Sequence, residues 1–225
     1  MARQTSTGKC NLCGGTFSKA AMTKHIASCR QKEGAPQSPS SGRSPQKTKT
    51  FHIVVEGRGL PEYWMHLEVP AGVELGVLDE FLRRIWLECC GHMSAFTIGG
   101  RTYSCAPEQD LDDESFDVQL DDVLSPGLQF YHEYDFGSTT HLKLEVVSSG
   151  ESWTKDKTVR ILARNDPPLI PCSSCGQIAT QVCAQCIWEG KGWLCNGCVT
   201  SHKCGDDMLL PVVNSPRVGV CGYTG

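Results

Sequence analysis

The chain is short of the features that most readily identify a protein. No apolar run approaches the length needed to cross a bilayer. Residues 1–9 are polar and basic where a secretory leader would carry an apolar stretch, so a cytoplasmic setting is expected. No Ser/His/Asp or Cys/His order suggestive of nucleophilic catalysis can be picked out. Asp135-Phe136-Gly137 has no accompanying Gly-rich loop, strand lysine or His-Arg-Asp segment, which excludes a kinase reading. The acidic run Asp110, Asp112, Asp113, Glu114, Asp117, Asp121 and Asp122 lacks the turn Gly and closing Glu of a calcium loop and reads as a solvated loop. The expectation is of a protein that is not an enzyme.

Cysteine, by contrast, is abundant: fourteen in 225 residues. In a reducing compartment, cysteines in pairs are metal ligands before they are disulfides. Cys172/Cys175, Cys183/Cys186 and Cys195/Cys198 are three Cys-x2-Cys pairs, and His202 and Cys204 follow within a 33-residue window. A Cys-x2-Cys turn points two thiolates at one tetrahedral ion. Eight ligands complete two tetrahedra, and full sets leave no open position for metal catalysis. An additional set opens the chain: Cys10-x2-Cys13, then Phe17, Met22, His25 and Cys29. A hairpin would supply the two cysteines. A helix from about Ser18 would present His25 and Cys29, four apart, on one face, over a plug of Phe17 and Met22. Three zinc ions are therefore expected.

Charge divides the chain. Residues 1–50 carry nine Lys/Arg against Glu33 alone, whereas residues 51–225 carry twelve against 24 Asp/Glu. A basic arm on an acidic body suits contact with a polyanion, with Lys19, Lys24, Arg30 and Lys32 as phosphate contacts. Base reading by the helix is poor, because Ser18, Ala21 and Lys24 would occupy the reading positions. Residues 31–50, rich in Pro, Ser, Gly, Gln and Lys, read as a flexible linker, which would leave the finger freely tethered.

From Phe51 the pattern becomes that of a packed domain. Strands are expected at Phe51–Glu56, Tyr63–Val69, Ser94–Ile98, Thr102–Cys105, Val118–Leu120, Gln129–Tyr134, His141–Val147 and Val159–Ala163. Leu75, Leu78, Phe81, Leu82, Ile85, Trp86 and Leu87 recur at helical spacing, up to about Cys90-Gly91. The fold class is α+β, a β-grasp-like sheet with one packed helix, flanked by a small ββα finger and a zinc module. The expected divisions are 1–30, 31–50, 51–165 and 166–225. In Asp135-Phe136-Gly137 the Asp would cap a hairpin turn, the Phe would pack down and the Gly would take the positive φ. His52, His66, His92 and His132 read as strand or turn histidines, and Cys89, Cys90 and Cys105 as small buried apolar residues.

Three resemblances carry this further. Residues 1–30 resemble the ββα zinc finger, with Cys29 in place of the last His. Residues 51–148 resemble the plasmid Ri ORF-three-like, or transposon-passenger, domain family. The resemblance rests on Phe81-Leu82-Arg83-Arg84-Ile85-Trp86, Leu120-Asp121-Asp122-Val123-Leu124 and Tyr134-Asp135-Phe136-Gly137. Ser138-Thr139-Thr140 stand where many members have an Asp and a Trp, so no role of that Trp transfers. The family implies a fold and, in some members, mobile elements. The ladder from Cys172 resembles cross-braced B-box and MYND modules, which implies Cys172, Cys175, Cys195 and Cys198 on one ion and Cys183, Cys186, His202 and Cys204 on the other. Cys221 is the alternative fourth ligand, and sequential pairing is the alternative topology. Trp188 and Trp193, one covering the metal centre and one exposed, with Arg217 and Tyr223 of the tail, are the candidate partner contacts. The expected function is that of a zinc-binding interaction or adaptor protein with a protein partner. The alternative is a nucleic-acid-associated protein using residues 1–50.

Overall fold

The computed structural model describes residues 6–31, 46–107, 113–154 and 158–225. Lys32, most of the linker expected at 31–50, and Asp110 and Asp112 lie outside these. Among the described residues no helix is long and apolar enough to cross a membrane.

The fold is mixed α+β and dominated by sheet. Ten strands form one sheet: β1 (Thr7–Cys10), β2 (Thr16–Ser18), β3 (Gln46–Gly57), β4 (Leu60–Pro70), β5 (Ser94–Ile98), β6 (Arg101–Ser104), β7 (Glu114–Ser115), β8 (Gln129–Tyr134), β9 (Thr140–Thr154) and β10 (Arg160–Asn165). Their order is β2-β1-β10-β4-β3-β9-β8-β5-β6-β7. Every pairing is antiparallel except β6 with β7. The sheet is therefore much larger than the small β-grasp expected. Two strands are longer than their apolar patterns: β3 starts at Gln46, and β9 pairs with it from Gln46↔Thr154 to Gly57↔Leu142. Polar residues at the ends of these strands are held by the backbone ladder, so hydrophobic alternation stops before the strand does. Val118–Leu120 is not a strand. Gln119 makes one bridge to Glu74, and Leu120 opens the short helix Leu120–Val123.

Helix α1 (Lys19–Arg30) belongs to the finger, and α2 (Leu75–Leu82) packs on the sheet. The latter runs on into a π-helical turn, Arg83–Leu87, closed by Glu88 N–H donating to the Arg83 carbonyl at 2.8 Å. The extra residue per turn lets Leu82, Trp86 and Leu87 all be buried, and it sets down the Cys89-Cys90 segment at the end of the helix. Phe51, Ile53, Met65, Leu67, Phe96, Phe130, Leu142 and Leu144 meet this helix in the main core.

The finger is docked. Strand β1 pairs with β10 through Gly8↔Asn165 and Cys10↔Ala163. Trp64 and Leu162 of the sheet join Cys10, Met22 and Ile26 in a second apolar cluster. Gly8 allows this approach, since a Cβ there would lie 2.3 Å from the Arg164 carbonyl oxygen and 2.5 Å from the Trp64 ring. The freely tethered finger is thus corrected: a cluster of large apolar groups and a strand ladder outweigh the freedom a polar linker permits.

Two buried histidines lie beneath the finger. His52 Nε2 and His66 Nδ1 are 2.9 Å apart, and burial pushes both below the ordinary value of 6.5, His52 to about 4 and His66 to about 3. Nearby Arg30 acts in the same direction on His52, and His52 and Lys19 do so on His66. Both rings are neutral when folded and bind protons when unfolded. Their contribution is complete above about pH 6.5 and falls as pH drops toward 4, by up to about 1.4 kcal/mol per pH unit for each ring. Denaturant unfolding in excess zinc at pH 7.5 and pH 5 should show this loss, with a shallower slope in His66→Gln. An equal slope in the variant would refute the assignment.

Candidate metal centres

In the finger, β1 ends on Cys10, and the following turn, with Cys10 N–H bonded to the Gly15 carbonyl and Gly14 N–H to the Cys10 carbonyl, turns Cys13 back beside it. Ser18 caps α1 by accepting from Ala21 N–H at 3.4 Å. Cys13 Sγ lies 3.3 Å from His25 Nε2, and Phe17 stacks on the His25 ring at 3.9 Å. The ligand atoms of Cys10, Cys13, His25 and Cys29 all lie within 4.8 Å of one another. Burial, then the Cys13 and Cys10 sulfurs, pushes the Cys29 thiol up to about 11.

In the C-terminal module, β11 (Gln181–Cys183) is flanked by β12 (Trp193–Leu194) and β13 (Leu209–Pro211). Cys172, Cys175, Cys195 and Cys198 form one set, and Cys183, Cys186, His202 and Cys204 the other. This cross-braced division is the one implied by the B-box and MYND resemblance. Cys204 takes the fourth place of the second set. Cys175 and Cys195 sulfurs are 3.5 Å apart, Cys186 and Cys204 sulfurs 3.6 Å, and Cys186 Sγ and His202 Nε2 3.8 Å. A tetrahedral ion with bonds of about 2.3 Å to sulfur and 2.0–2.1 Å to nitrogen has edges of about 3.8 Å and about 3.6 Å. The sets therefore have the size of a metal's coordination shell.

The electrostatics of the module fit a dication. Backbone amides, Cys195 first, pull the Cys172 thiol down to about 6. Burial raises Cys183, yet the backbone amide of Cys186 and the side chain of His202 outweigh it and bring the thiol to about 7. Their neighbours move the other way: the Cys175 sulfur pushes Cys198 to about 12, and Cys204 does the same to Cys186. Some thiols in each set thus lose their protons readily, and their negative charge holds the remaining protons on. A doubly charged cation relieves that repulsion.

A fourth cluster of the same size is present. Cys89, Cys90, His92 and Cys221 bring their ligand atoms within 4.8 Å of one another. Cys221, held in reserve for the module, is here instead. Cys89 and Cys90, expected as small buried apolar residues, belong instead to this set. Cys89 is half-buried, while Cys90 and Cys105 are exposed. The local signal was Cys89-Cys90-x-His92, but its fourth member lies 129 residues away.

Trp188 stands 70% exposed on the turn Cys186–Glu189, whereas Trp193 is half-buried against the core. The two remaining candidate partner contacts are corrected. Arg217 is fully buried and Tyr223 nearly so. Arg217 donates to Asp135 Oδ2 at 2.7 Å, Thr140 Oγ1 at 3.0 Å, the Ser138 carbonyl at 3.2 Å and Cys89 Sγ at 3.3 Å, and its guanidinium lies 4.8 Å from the centre of the Tyr134 ring. Asp135 is held by this pair and by the turn, its Oδ1 accepting from Gly137 and Ser138 N–H. Burial raises its carboxyl, but the guanidinium and those amides hold it below the ordinary carboxylate value. Asp135 does cap the turn, as expected. Asp135, however, is the residue that takes the positive φ, 65°, and Phe136 is half exposed instead of packing down. The short side chain of Asp tolerates the left-handed region and accepts amides across the turn there.

Of the expected phosphate contacts, Lys19 is paired with Glu56 and Arg30 with Glu68, so both serve to dock the finger, and Lys24 is exposed.

No protein-family model matches the chain, and no curated protein matches it. Among solved structures, a protein of unknown function from Methanosarcina mazei Go1 aligns over 52% of this chain and 69% of its own, at 15% identity and a TM-score of 0.47.

Breaking the Arg217–Asp135 pair from one side leaves an uncompensated buried charge. Asp135→Ala and Arg217→Ala should each cost about 3–5 kcal/mol, and the double variant clearly less than their sum. Additive losses in urea unfolding would show that the pair is not the lock.

Proposed function

We propose that the protein is a zinc-stabilised, non-enzymatic interaction protein whose C-terminal module presents a docking surface to a protein partner. The observation that carries this is Trp188. It follows the metal ligand Cys186 by two residues on a short turn, and it is the most exposed of the large apolar side chains among the described residues. A large aromatic held rigidly by a metal-bound turn is the kind of anchor that dominates interface energies. Ile178 and Leu169 of the same C-terminal region are also exposed.

Zinc is the ion that suits these donors. Sets of four thiolates, or of three thiolates and an imidazole, are soft and suit a tetrahedral ion, and they favour zinc over the oxygen-seeking ions. Each set is saturated, so the ions would serve structure. Cysteines gathered in metal-sized sets suit the reducing, cytoplasmic setting we infer. The turn Tyr134–Gly137 and the helix through Trp86 support placing residues 51–148 with the plasmid Ri ORF-three-like domains. Nucleic-acid binding through residues 1–50 is the weaker reading, because Lys19 and Arg30 already neutralise Glu56 and Glu68.

Elemental analysis should find zinc at no fewer than three ions per chain, and a count of zero or one would sink the zinc assignment. Trp188→Ala should keep its zinc while losing most of the proteins that crosslink to the wild type at this surface. An unchanged crosslinking profile would remove the docking role.

A further inference from the structure

We propose that Cys89, Cys90, His92 and Cys221 form a fourth tetrahedral site for a thiophilic divalent ion, zinc by its donor set, and that this ion clasps the C-terminal tail onto the central sheet. The site was not apparent in the sequence, and it joins two segments that neither the finger nor the two-ion module contains.

The geometry is that of a coordination shell. Cys90 Sγ lies 3.0 Å from His92 Nε2, 3.6 Å from Cys89 Sγ and 3.9 Å from Cys221 Sγ, and His92 Nε2 lies 3.2 Å from Cys221 Sγ. The sulfur–sulfur separations bracket the edge of a zinc tetrahedron, about 3.8 Å, and the sulfur–nitrogen ones fall a few tenths of an ångström inside the corresponding edge of about 3.6 Å. They are far longer than a disulfide, about 2.05 Å. Hydrophobic burial does not explain the convergence, because Cys90 and Cys221 are exposed.

The surroundings are built to hold the ligands. The π turn Arg83–Leu87 ends at Glu88, whose carboxylate accepts from Gly91 N–H at 2.6 Å and from the Tyr134 hydroxyl at 2.9 Å, which fixes the Cys89–Gly91 bend. On the tail, Cys221 itself is left-handed, with φ 50°. Ligands are commonly oriented by an outer layer of hydrogen bonds. Here that layer is Arg217, donating to Cys89 Sγ at 3.3 Å and held in place by Asp135 Oδ2 at 2.7 Å. Three thiolates and one dication leave a negative charge on the set, and the Arg217 cation lies against it.

The consequence is a tail closed by metal. Ser215 Oγ donates to the Trp86 carbonyl, Asn165 Nδ2 donates to Asn214 Oδ1 while Asn214 Nδ2 donates to the Asn165 carbonyl, and Val218 enters the main core. The fourth ion would anchor the chain just beyond these contacts. The other three sets each include a buried cysteine, Cys10, Cys172 or Cys183, and this one has none. It should therefore surrender its ion first to a chelator.

The test uses the full chain purified under reducing conditions. Zinc per chain should be four in the wild type and three in Cys90→Ser and Cys221→Ala, and amides of residues 214–223 should exchange at least tenfold faster in both variants. Cobalt(II) titration of the metal-free wild type should saturate at four equivalents, which needs no variant to fold. A wild-type count of three by both measurements overturns the clasp and leaves the other three sites standing. A count of four that Cys221→Ala does not lower overturns it as well. A count of zero or one overturns the zinc assignment as a whole.

Discussion

One buried ion pair, Arg217 to Asp135, holds the parts of this protein in register. Its members are 82 residues apart, one on the tail and one on the turn between β8 and β9. Both are out of water, so neither charge can be left without the other. The pair stabilises a left-handed Asp at the head of the turn, aligns the tail along the end of α2, and lays a guanidinium against the Cys89 sulfur. The contacts of Asn214, Ser215 and Val218 depend on the path this pair gives the tail. The module follows, because β13 and the tail are one continuous stretch.

Around that lock the chain uses two sources of stability. The central sheet buries large apolar residues against α2 and its π turn, and a packed core of this kind needs no metal. The finger and the module have little core of their own. The finger buries Cys10, Met22 and Ile26 and borrows Trp64 and Leu162 from the sheet, while the module contributes little more than Cys172, Ala179, Val182, Cys183 and Leu194. Segments so poor in apolar surface are ordered by the geometry of their ligand sets and by docking on the larger sheet. The same division underlies the proposed function: the ligand sets would hold the chain, and the exposed apolar side chains of the module, Trp188 foremost, would be what is left to meet a partner.

Local chemistry was legible in the sequence wherever the spacing was short. Cys-x2-Cys pairs, the His25/Cys29 helix face, the amphipathic Leu75–Leu87 segment and the strands around Phe51, Tyr63, Ser94 and Gln129 all depend on residues within a turn or two of each other. The extent of β3 and β9 was not legible, because their outer halves are polar and are held by ladder hydrogen bonds and by side-chain pairs such as Lys47 with Glu151 and Ser152 with Glu68. Arg217 and Tyr223 looked like recognition residues because an arginine and a tyrosine beside turns are ordinarily exposed, even in an apolar, turn-rich tail. Their burial follows from partners, Asp135 and Ser215 among them, whose positions the local pattern does not encode. Lys19 and Arg30 looked like phosphate contacts for the same reason, since Glu56 and Glu68 meet them only once the finger has docked.

The sequence by itself determined the α+β class and the cysteine and histidine ligands whose spacing places them on one turn or one helix face, because those properties are set by backbone periodicity over a few residues. Tertiary structure alone decided that the finger joins the sheet, that Cys221 leaves the module for Cys89, Cys90 and His92, and that Arg217 closes the tail from within. Each of those outcomes depends on two surfaces meeting across more than a hundred residues, or on a charge finding its partner out of water. Both are set by the packing of the whole chain.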